Sequence, residues 1–315
     1  VSEMKVLVTG GAGFIGSHVA DALLAAKHEV LVLDDLSTGR RTNVPAQASF
    51  IQADIRDAAL VAKVFGDFQP DVVTHQAAQT SVSISAREPV RDAEINILGS
   101  LNILNQAVKH KLQRIVFAST GGAIYGEVPD GERASEQTVP NPLSPYACSK
   151  FSIEKYLNAY AREHGLSSTV LRYANVYGPR QDPHGEAGVV AIFAQRVLTG
   201  QPIQINARKQ EGDAGCVRDY VFVADVVRAN MLAIEGKLNK TPVNVCSGVA
   251  TSTLELAKLI EQAAGVKAVL RYGPRREGDV ERSVLDPGVP SPLGAAVPIA
   301  EGIARTTAWF KERSA

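Results

Sequence analysis

The chain has 315 residues, 45% of them hydrophobic and 21% charged, a globular balance that excludes intrinsic disorder and suits one or two domains around a large core. Its 33 basic and 33 acidic residues cancel to a net charge of zero, so no bulk electrostatic attraction draws it to nucleic acid or to an anionic membrane. Three cysteines, Cys148, Cys216 and Cys246, fit neither a disulfide framework nor a CxxC metal site, and they point to a reducing, cytoplasmic setting.

The sequence opens straight into a strand pattern, without a basic and then apolar leader, and no run approaches about 18 consecutive apolar residues; a secreted or membrane-spanning protein is not expected. Small molecules or copies of the same chain are the expected partners. The six histidines lack metal-ligand spacing, so no catalytic metal is expected.

In chain order, a strand pattern at 5–9 leads into a helical pattern to about 26, and further apolar runs follow at 29–34, 50–52, 72–75, 114–118 and 169–173. Most are continuous rather than alternating, as in strands buried on both faces of a parallel sheet with helices on either side. The expected fold is a doubly wound, Rossmann-type α/β domain. After Tyr173 the texture changes: Gly178-Pro179, Asp182-Pro183-His184-Gly185 and the polar stretch 207–215 suggest a smaller C-terminal lobe. A strand-then-helix pattern at 218–234 suggests a return to the sheet. Pro287, Pro290, Pro292 and Pro298 argue against a long helix over 286–298.

Gly10-Gly11-Ala12-Gly13-Phe14-Ile15-Gly16 follows the first strand and opens the first helix. Glycines there permit a tight turn and close approach to a pyrophosphate at the helix N-terminus. Asp34 ends the second strand at the spacing of about 20 residues expected of a ribose-binding carboxylate, which selects NAD over NADP; Arg40 and Arg41 stand nearby. Asp54 and Ile55 follow the third strand, where the adenine edge lies in this fold. His75, at a strand end, reads as a structural hydrogen-bonding residue or as a nucleotide contact.

Tyr146 and Lys150 share one face of a helix beginning after Pro145, and Thr120 follows the strand at 114–118. Ionising a free tyrosine of pKa about 10 at pH 7 costs about 4 kcal/mol. An ammonium about 5 Å away at an effective dielectric of about 20 returns roughly 3 kcal/mol. Tyr146 can then act as a base toward a sugar hydroxyl, with Thr120 as its hydrogen-bond partner.

These residues, together with His75-Gln76-Ala77-Ala78, Asn96, Leu171-Arg172-Tyr173, Asn175-Val176-Tyr177-Gly178, Val217-Arg218-Asp219-Tyr220 and Arg275-Arg276-Glu277-Gly278-Asp279, make the chain resemble the extended short-chain dehydrogenase/reductase family, and within it the UDP-glucose 4-epimerases, over nearly its whole length. The resemblance implies an NAD-binding domain over 1–175 with a return at about 218–236, and a UDP-sugar domain over 176–217 and 237–315. It implies inversion at C4 of a UDP-hexose through a transient 4-keto sugar, with NAD as cofactor. Cofactor contacts would come from Gly10, Gly13, Phe14, Ile15, Gly16, Asp34, Asp54, Ile55, Ala77, Gln79, Asn96, Tyr146, Lys150 and Tyr173, with Asn96 supporting Lys150. Asn175, Arg218 and Arg276 would hold the UDP diphosphate, near Asp279, while Ser283 would leave room for an N-acetyl group at the sugar's C2.

The resemblance also implies a homodimer through helices at 96–109 and 149–163, and Leu98, Leu101, Ile103, Leu104 and Val108 exceed what one helix face needs. Two departures stand out. Gly121-Gly122 adds a residue before Tyr125, which leaves Ser119 as rival to Thr120, and Leu293-Gly294-Ala295 replaces the family's Leu-Gly-Trp. Sugar-nucleotide dehydratases or decarboxylases share oxidation at C4, but similar dehydratases carry Asp-Glu where this chain has Gly121-Gly122. A non-catalytic NAD-binding regulator would often lack the Tyr or Lys present here.

Overall fold

The computed structural model describes residues 3–184, 188–238, 241–276, 278–288 and 291–314. Gly185, Glu277 and Pro290, which figure in the sequence reading, lie outside the described residues. The chain runs β1 (Lys5–Thr9), α1 (Phe14–Ala25), β2 (Glu29–Asp34), β3 (Ser49–Gln52), α2 (Ala58–Phe68), β4 (Val72–His75), α3 (Val82–Arg87), α4 (Pro89–Ala93), a π-helical turn (Glu94–Gly99), α5 (Ser100–Lys109), β5 (Arg114–Thr120), α6 (Gly121–Ile124) and α7 (Pro145–His164). It continues with β6 (Ser168–Tyr173), β7 (Asn175–Tyr177), α8 (Val189–Leu198), β8 (Ile203–Asn206), β9 (Val217–Phe222), α9 (Val223–Ile234), β10 (Val243–Val245), β11 (Ala250–Ser252), α10 (Thr253–Ala264), β12 (Leu270–Gly273), β13 (Arg282–Ser283) and α11 (Ile299–Ser314).

Two compact units result. The first comprises 1–120, 144–172 and 227–243, and the second 121–143, 173–226 and 244–315. The large sheet is a seven-stranded parallel sheet of order β10-β6-β5-β4-β1-β2-β3. Strand order reverses between β1 and β4, the position where open α/β sheets collect ligands at the strands' carboxyl ends. Continuous burial of Val6, Leu7 and Val8 agrees with a strand covered on both faces. Leu7, Leu33, Val73, Ile115 and Phe117 of the sheet share a core with Phe65 of α2 and Ile103 of α5. Burying a Phe65-sized side chain contributes about 2–3 kcal/mol.

The boundaries fall elsewhere than at 175 and 218. Strand β9 does not rejoin the parallel sheet. It forms a separate sheet in the second unit with β11, β13 and β7. Re-entry into the first unit comes with α9, whose Asn230 accepts hydrogen bonds from Thr74 Oγ1 at 3.1 Å and Gln76 Nε2 at 2.9 Å. Residues 121–143 belong to the second unit, where their polar groups bond to Asn244. Tyr125 donates to Asn244 Oδ1 at 2.8 Å, and Asn244 Nδ2 donates to the Ala134 carbonyl at 3.0 Å. As expected, no helix forms over 286–288 or 291–298, and α11 begins at Ile299. Among the described residues no helix is long and apolar enough to cross a membrane.

Candidate active site

The loop after β1 is shaped for a close-approaching anion. Gly10 has φ +69°, and a Cβ there would stand 2.6 Å from the Ala77 backbone nitrogen; one on Gly16 would stand 2.2 Å from the Gly10 carbonyl oxygen. Gly13 is the N-cap of α1, no side chain caps that helix, and its first turn holds no acidic residue. The backbone N–H groups at Phe14 and Ile15 thus begin a helix with no acidic residue and no side-chain cap in its first turn, and a pyrophosphate fits there.

Asp34 is 7% exposed at the end of β2. Its Oδ2 accepts from Ala12 N–H at 3.0 Å and its Oδ1 from Leu36 N–H at 2.8 Å. Burial raises its pKa, those N–H groups oppose the rise, and the neighbouring Asp35 charge adds to it. Asp54 is held by Arg56 through Nε at 2.9 Å and Nη2 at 2.6 Å, and that hydrogen bonding keeps its pKa below the usual range. Ile55 buries its side chain, and its carbonyl accepts from Asn102 at 2.9 Å.

Beyond β4, Ala77 N–H donates to Thr9 Oγ1 at 3.3 Å, and Gln79 and Asn96 exchange Gln79 N–H to Oδ1 and Nδ2 to the Gln79 carbonyl, both at 2.9 Å. His75 lies within this frame, with Nδ1 2.6 Å from Thr9 Oγ1 and Nε2 2.9 Å from Ser100 Oγ. Ser100 Oγ donates to the Asn96 carbonyl at 2.7 Å, so its oxygen accepts from His75 Nε2–H and leaves Nδ1 as the acceptor for Thr9. Burial, followed by the Lys150 charge, pushes the His75 pKa down to about 3 and keeps the ring neutral.

Helix α7 starts on Ser144, whose side chain accepts from Ala147 N–H at 3.2 Å, followed by Pro145 in the first turn. Tyr146 and Lys150 project from its first two turns. Lys150 Nζ donates to the Ala118 carbonyl at 3.0 Å and lies 4.9 Å from the centre of the Phe117 ring. Burial lowers its pKa to about 8, and the charge of Asp92 opposes that fall. Tyr146 is hydrogen-bonded to Thr120; burial raises its pKa to about 12, the Thr120 hydroxyl opposes the rise and Asp92 adds to it.

The two candidate hydroxyls, adjacent at the end of β5, are divided by their partners on α7. Ser119 Oγ donates to Glu154 Oε1 at 2.6 Å, inside a buried pair in which Arg172 reaches Glu154 at 3.0 and 2.6 Å. Thr120 is left facing Tyr146. Asn96 makes no hydrogen bond to Lys150 among the described residues: its Nδ2 reaches Asp92 Oδ1 at 2.9 Å, and Asp92 connects it to α7 by accepting from Ser149 Oγ at 2.6 Å.

In the second unit, β9 gathers the other candidates. Asn175 of β7 lies level with Tyr220, and Ser283 of β13 pairs with Arg218 itself. The Asn175 Oδ1 is buried with no hydrogen-bond partner, and a Cβ on Gly122 would come within 3.2 Å of it. Arg218 Nη1 donates to the Val217 carbonyl at 3.0 Å, while Asp219 anchors the strand by accepting from Ser247 and Gly248 N–H, both at 2.9 Å. Arg276 is exposed, whereas Arg275 beside it is paired with Glu281 at 2.8 Å. Asp279 is half-buried, and Tyr173 and Ser283 are buried.

The model of the NAD dependent epimerase/dehydratase family matches residues 6–246. The chain belongs to that family. A UDP-glucose 4-epimerase of Thermus thermophilus, solved in complex with NAD, is 51% identical, with a TM-score of 0.94 over 98% of this chain and 99% of that one. A Thermotoga maritima UDP-glucose 4-epimerase solved with UDP-glucose is 44% identical, with a TM-score of 0.91 over 99% of this chain and 100% of that one. The UDP-glucose 4-epimerase of Mycolicibacterium smegmatis is 43% identical over 99% of this chain and 100% of its own length.

For a member of this epimerase/dehydratase family, two buried carboxylates of the first unit escaped the sequence reading, Asp92 and Glu154. Glu154 carried one signal, since it repeats the Tyr146–Lys150 spacing on α7. Asp92 carried none, because it sits in a short helix with no motif of its own.

Proposed function

We propose that the chain interconverts UDP-glucose and UDP-galactose by inverting C4 through a transient 4-keto sugar. The observation that carries this reading is the Thr120–Tyr146–Lys150 arrangement at the end of β5, in the same unit as the glycine turn and Asp34. The family relatives named above support it.

NAD, when bound, supplies the two-electron acceptor that takes C4 to the ketone and back. The chain's own part is binding and proton movement. The α1 N-terminus and Asp34 hold the pyrophosphate and ribose, and the Asp34 carboxylate disfavours a 2′-phosphate. Tyr146 takes the proton from the C4 hydroxyl and later returns it, with Thr120 donating a hydrogen bond to the phenolic oxygen. A phenol of pKa about 12 needs about 7 kcal/mol to ionise at pH 7, so Tyr146 depends on the Lys150 ammonium and on ligand charge to become a base.

Asn175, Arg218 and Arg276 are assigned to the diphosphate, for which planar guanidinium donors are suited. At Asn175 the amide Nδ2 would donate to the diphosphate, and the unpartnered Oδ1 would accept from a ligand hydroxyl. Ser283 is assigned to the C2 side of the sugar, which extends the substrates to N-acetylated forms. Elimination chemistry would need a further acid and base beside the sugar, and Gly121-Gly122 places no side chain there.

We assign the protein to the cytoplasm, in keeping with its three free thiols. A homodimer through the π-helical turn, α5 and α7 is also proposed, on narrower grounds than the sequence suggests. Ile103 and Leu104 are core residues, and Leu101 and Val108 pack against that core. Among the described residues of those elements, the exposed large apolar side chains are instead Leu98 and Tyr156, at 56% and 41%. The deciding experiment for the activity is incubation with UDP-glucose, UDP-galactose and their N-acetylated counterparts, with products resolved by NMR. The C4 epimer is expected, and a keto-deoxy sugar would establish a dehydratase instead.

A further inference from the structure

Asp92 is fully buried in α4, where an ionised carboxylate is costly unless its lone pairs are occupied. They are occupied by neutral side chains from three separate segments. Oδ1 accepts from Gln79 Nε2 at 2.8 Å and Asn96 Nδ2 at 2.9 Å, and Oδ2 accepts from Ser149 Oγ at 2.6 Å. Gln79 follows β4, Asn96 lies in the π-helical turn, and Ser149 precedes Lys150 on α7. π-helical turns are rare and occur frequently at functional sites. Here Asn96 points out of that turn onto both Gln79 and Asp92.

We propose that Asp92 is a positioning residue for the proton-transfer pair: its carboxylate fixes the first two turns of α7, and with them Tyr146 and Lys150, against the Gln79–Asn96 frame. The proposal rests on the epimerase reading for its kinetic consequences and on geometry alone for the rest. Its electrostatic consequence has a definite sign. The Asp92 charge raises the pKa of both Lys150 and Tyr146, so it keeps the ammonium protonated and holds the phenol back from ionising.

The remaining titratable groups around the pair do not duplicate this role. His75 of β4 is neutral, and Glu154 of α7 is neutralised by Arg172 of β6. Outside the network, Arg87 is exposed on α3, Glu88 is paired with Arg91 at 3.0 Å, and Glu94 with Arg56 at 3.6 Å.

The test uses NAD-loaded protein and two substitutions. In Asp92→Asn the charge is removed, and both limbs of the kcat–pH profile should move to lower pH by about one unit. The Tyr146 phenolate, followed by ultraviolet difference titration with a Tyr146→Phe background subtracted, should shift the same way. In Ser149→Ala the charge stays and the tether is cut, so kcat should fall about tenfold with KM for UDP-galactose and both limbs unmoved. Unmoved limbs and phenolate midpoint in Asp92→Asn would overturn the proposal. So would wild-type kcat in Ser149→Ala, a result that stands even if Asp92→Asn fails to fold. A wild type inert toward UDP-hexoses would refute the epimerase reading instead and leave the phenolate titration to judge Asp92.

Discussion

Replacing the two adjacent hydroxyls at the end of β5 should have opposite signatures. Thr120→Val keeps the side-chain volume but removes the hydrogen bond to Tyr146. A hydrogen bond to an ionised group contributes about 1.5–3 kcal/mol, which corresponds to a loss of roughly 10- to 150-fold in kcat. Ser119→Ala removes a donor from Glu154 Oε1, yet Arg172 Nε still serves that oxygen at 3.0 Å and Nη2 serves the other at 2.6 Å. The cost is then about 1 kcal/mol of stability, or about 2 °C in apparent Tm for a chain of this size, with kcat within about twofold of wild type. Conversion of UDP-galactose to UDP-glucose measured by coupled assay, beside thermal unfolding of each variant, separates the two effects. If Ser119→Ala proves the more damaging to kcat, the assignment of Thr120 is wrong.

Tyr146→Phe should lose at least about 1,000-fold in kcat while calorimetry shows NAD binding retained; near-wild-type turnover would remove Tyr146 from the mechanism. For the cofactor, a unit charge about 4 Å from Asp34 at an effective dielectric of about 20 costs about 4 kcal/mol, so NADP should bind at least tenfold more weakly than NAD, and equal affinities by titration calorimetry would refute the carboxylate's role. Stability should depend on His75. With its folded pKa depressed to about 3, its contribution is full above the unfolded value of 6.5 and is lost as pH falls from there toward 3, at up to about 1.4 kcal/mol per pH unit. Denaturant titrations of wild type and His75→Gln should therefore differ in slope below pH 6.5, and parallel curves would count against a neutral buried ring. Ser283→Tyr should lower kcat/KM for N-acetylated sugars well beyond its effect on plain hexoses, because Ser283 is only 2% exposed and the added ring must displace something; equal losses would dissociate it from the C2 group.

What was legible from the sequence alone is what neighbouring residues write for themselves. The strand, glycine turn and helix from Lys5 to Gly16 follow from apolar runs and from the absence of side chains at Gly10 and Gly16. Tyr146 and Lys150 share a face because a helix returns every 3.6 residues. Asp34 stands at a strand end that its own apolar run predicts. Contacts between distant segments leave no such period, and the tertiary structure decided them. Which of Ser119 and Thr120 meets Tyr146 depends on how α7 lies along β5: Tyr146 takes Thr120, and Glu154, two turns further along the same helix, takes Ser119 together with Arg172. Strand β9 reads like a return to the parallel sheet, yet its pairing edges are taken by β7, β11 and β13. Leu101, Ile103, Leu104 and Val108 look like surplus for a partner, yet they go to the core against elements from across the first unit. Asp92 looks like any surface acid until folding brings Gln79, Asn96 and Ser149 around it, since burial and hydrogen-bond partners are properties of the packed chain and not of its local sequence.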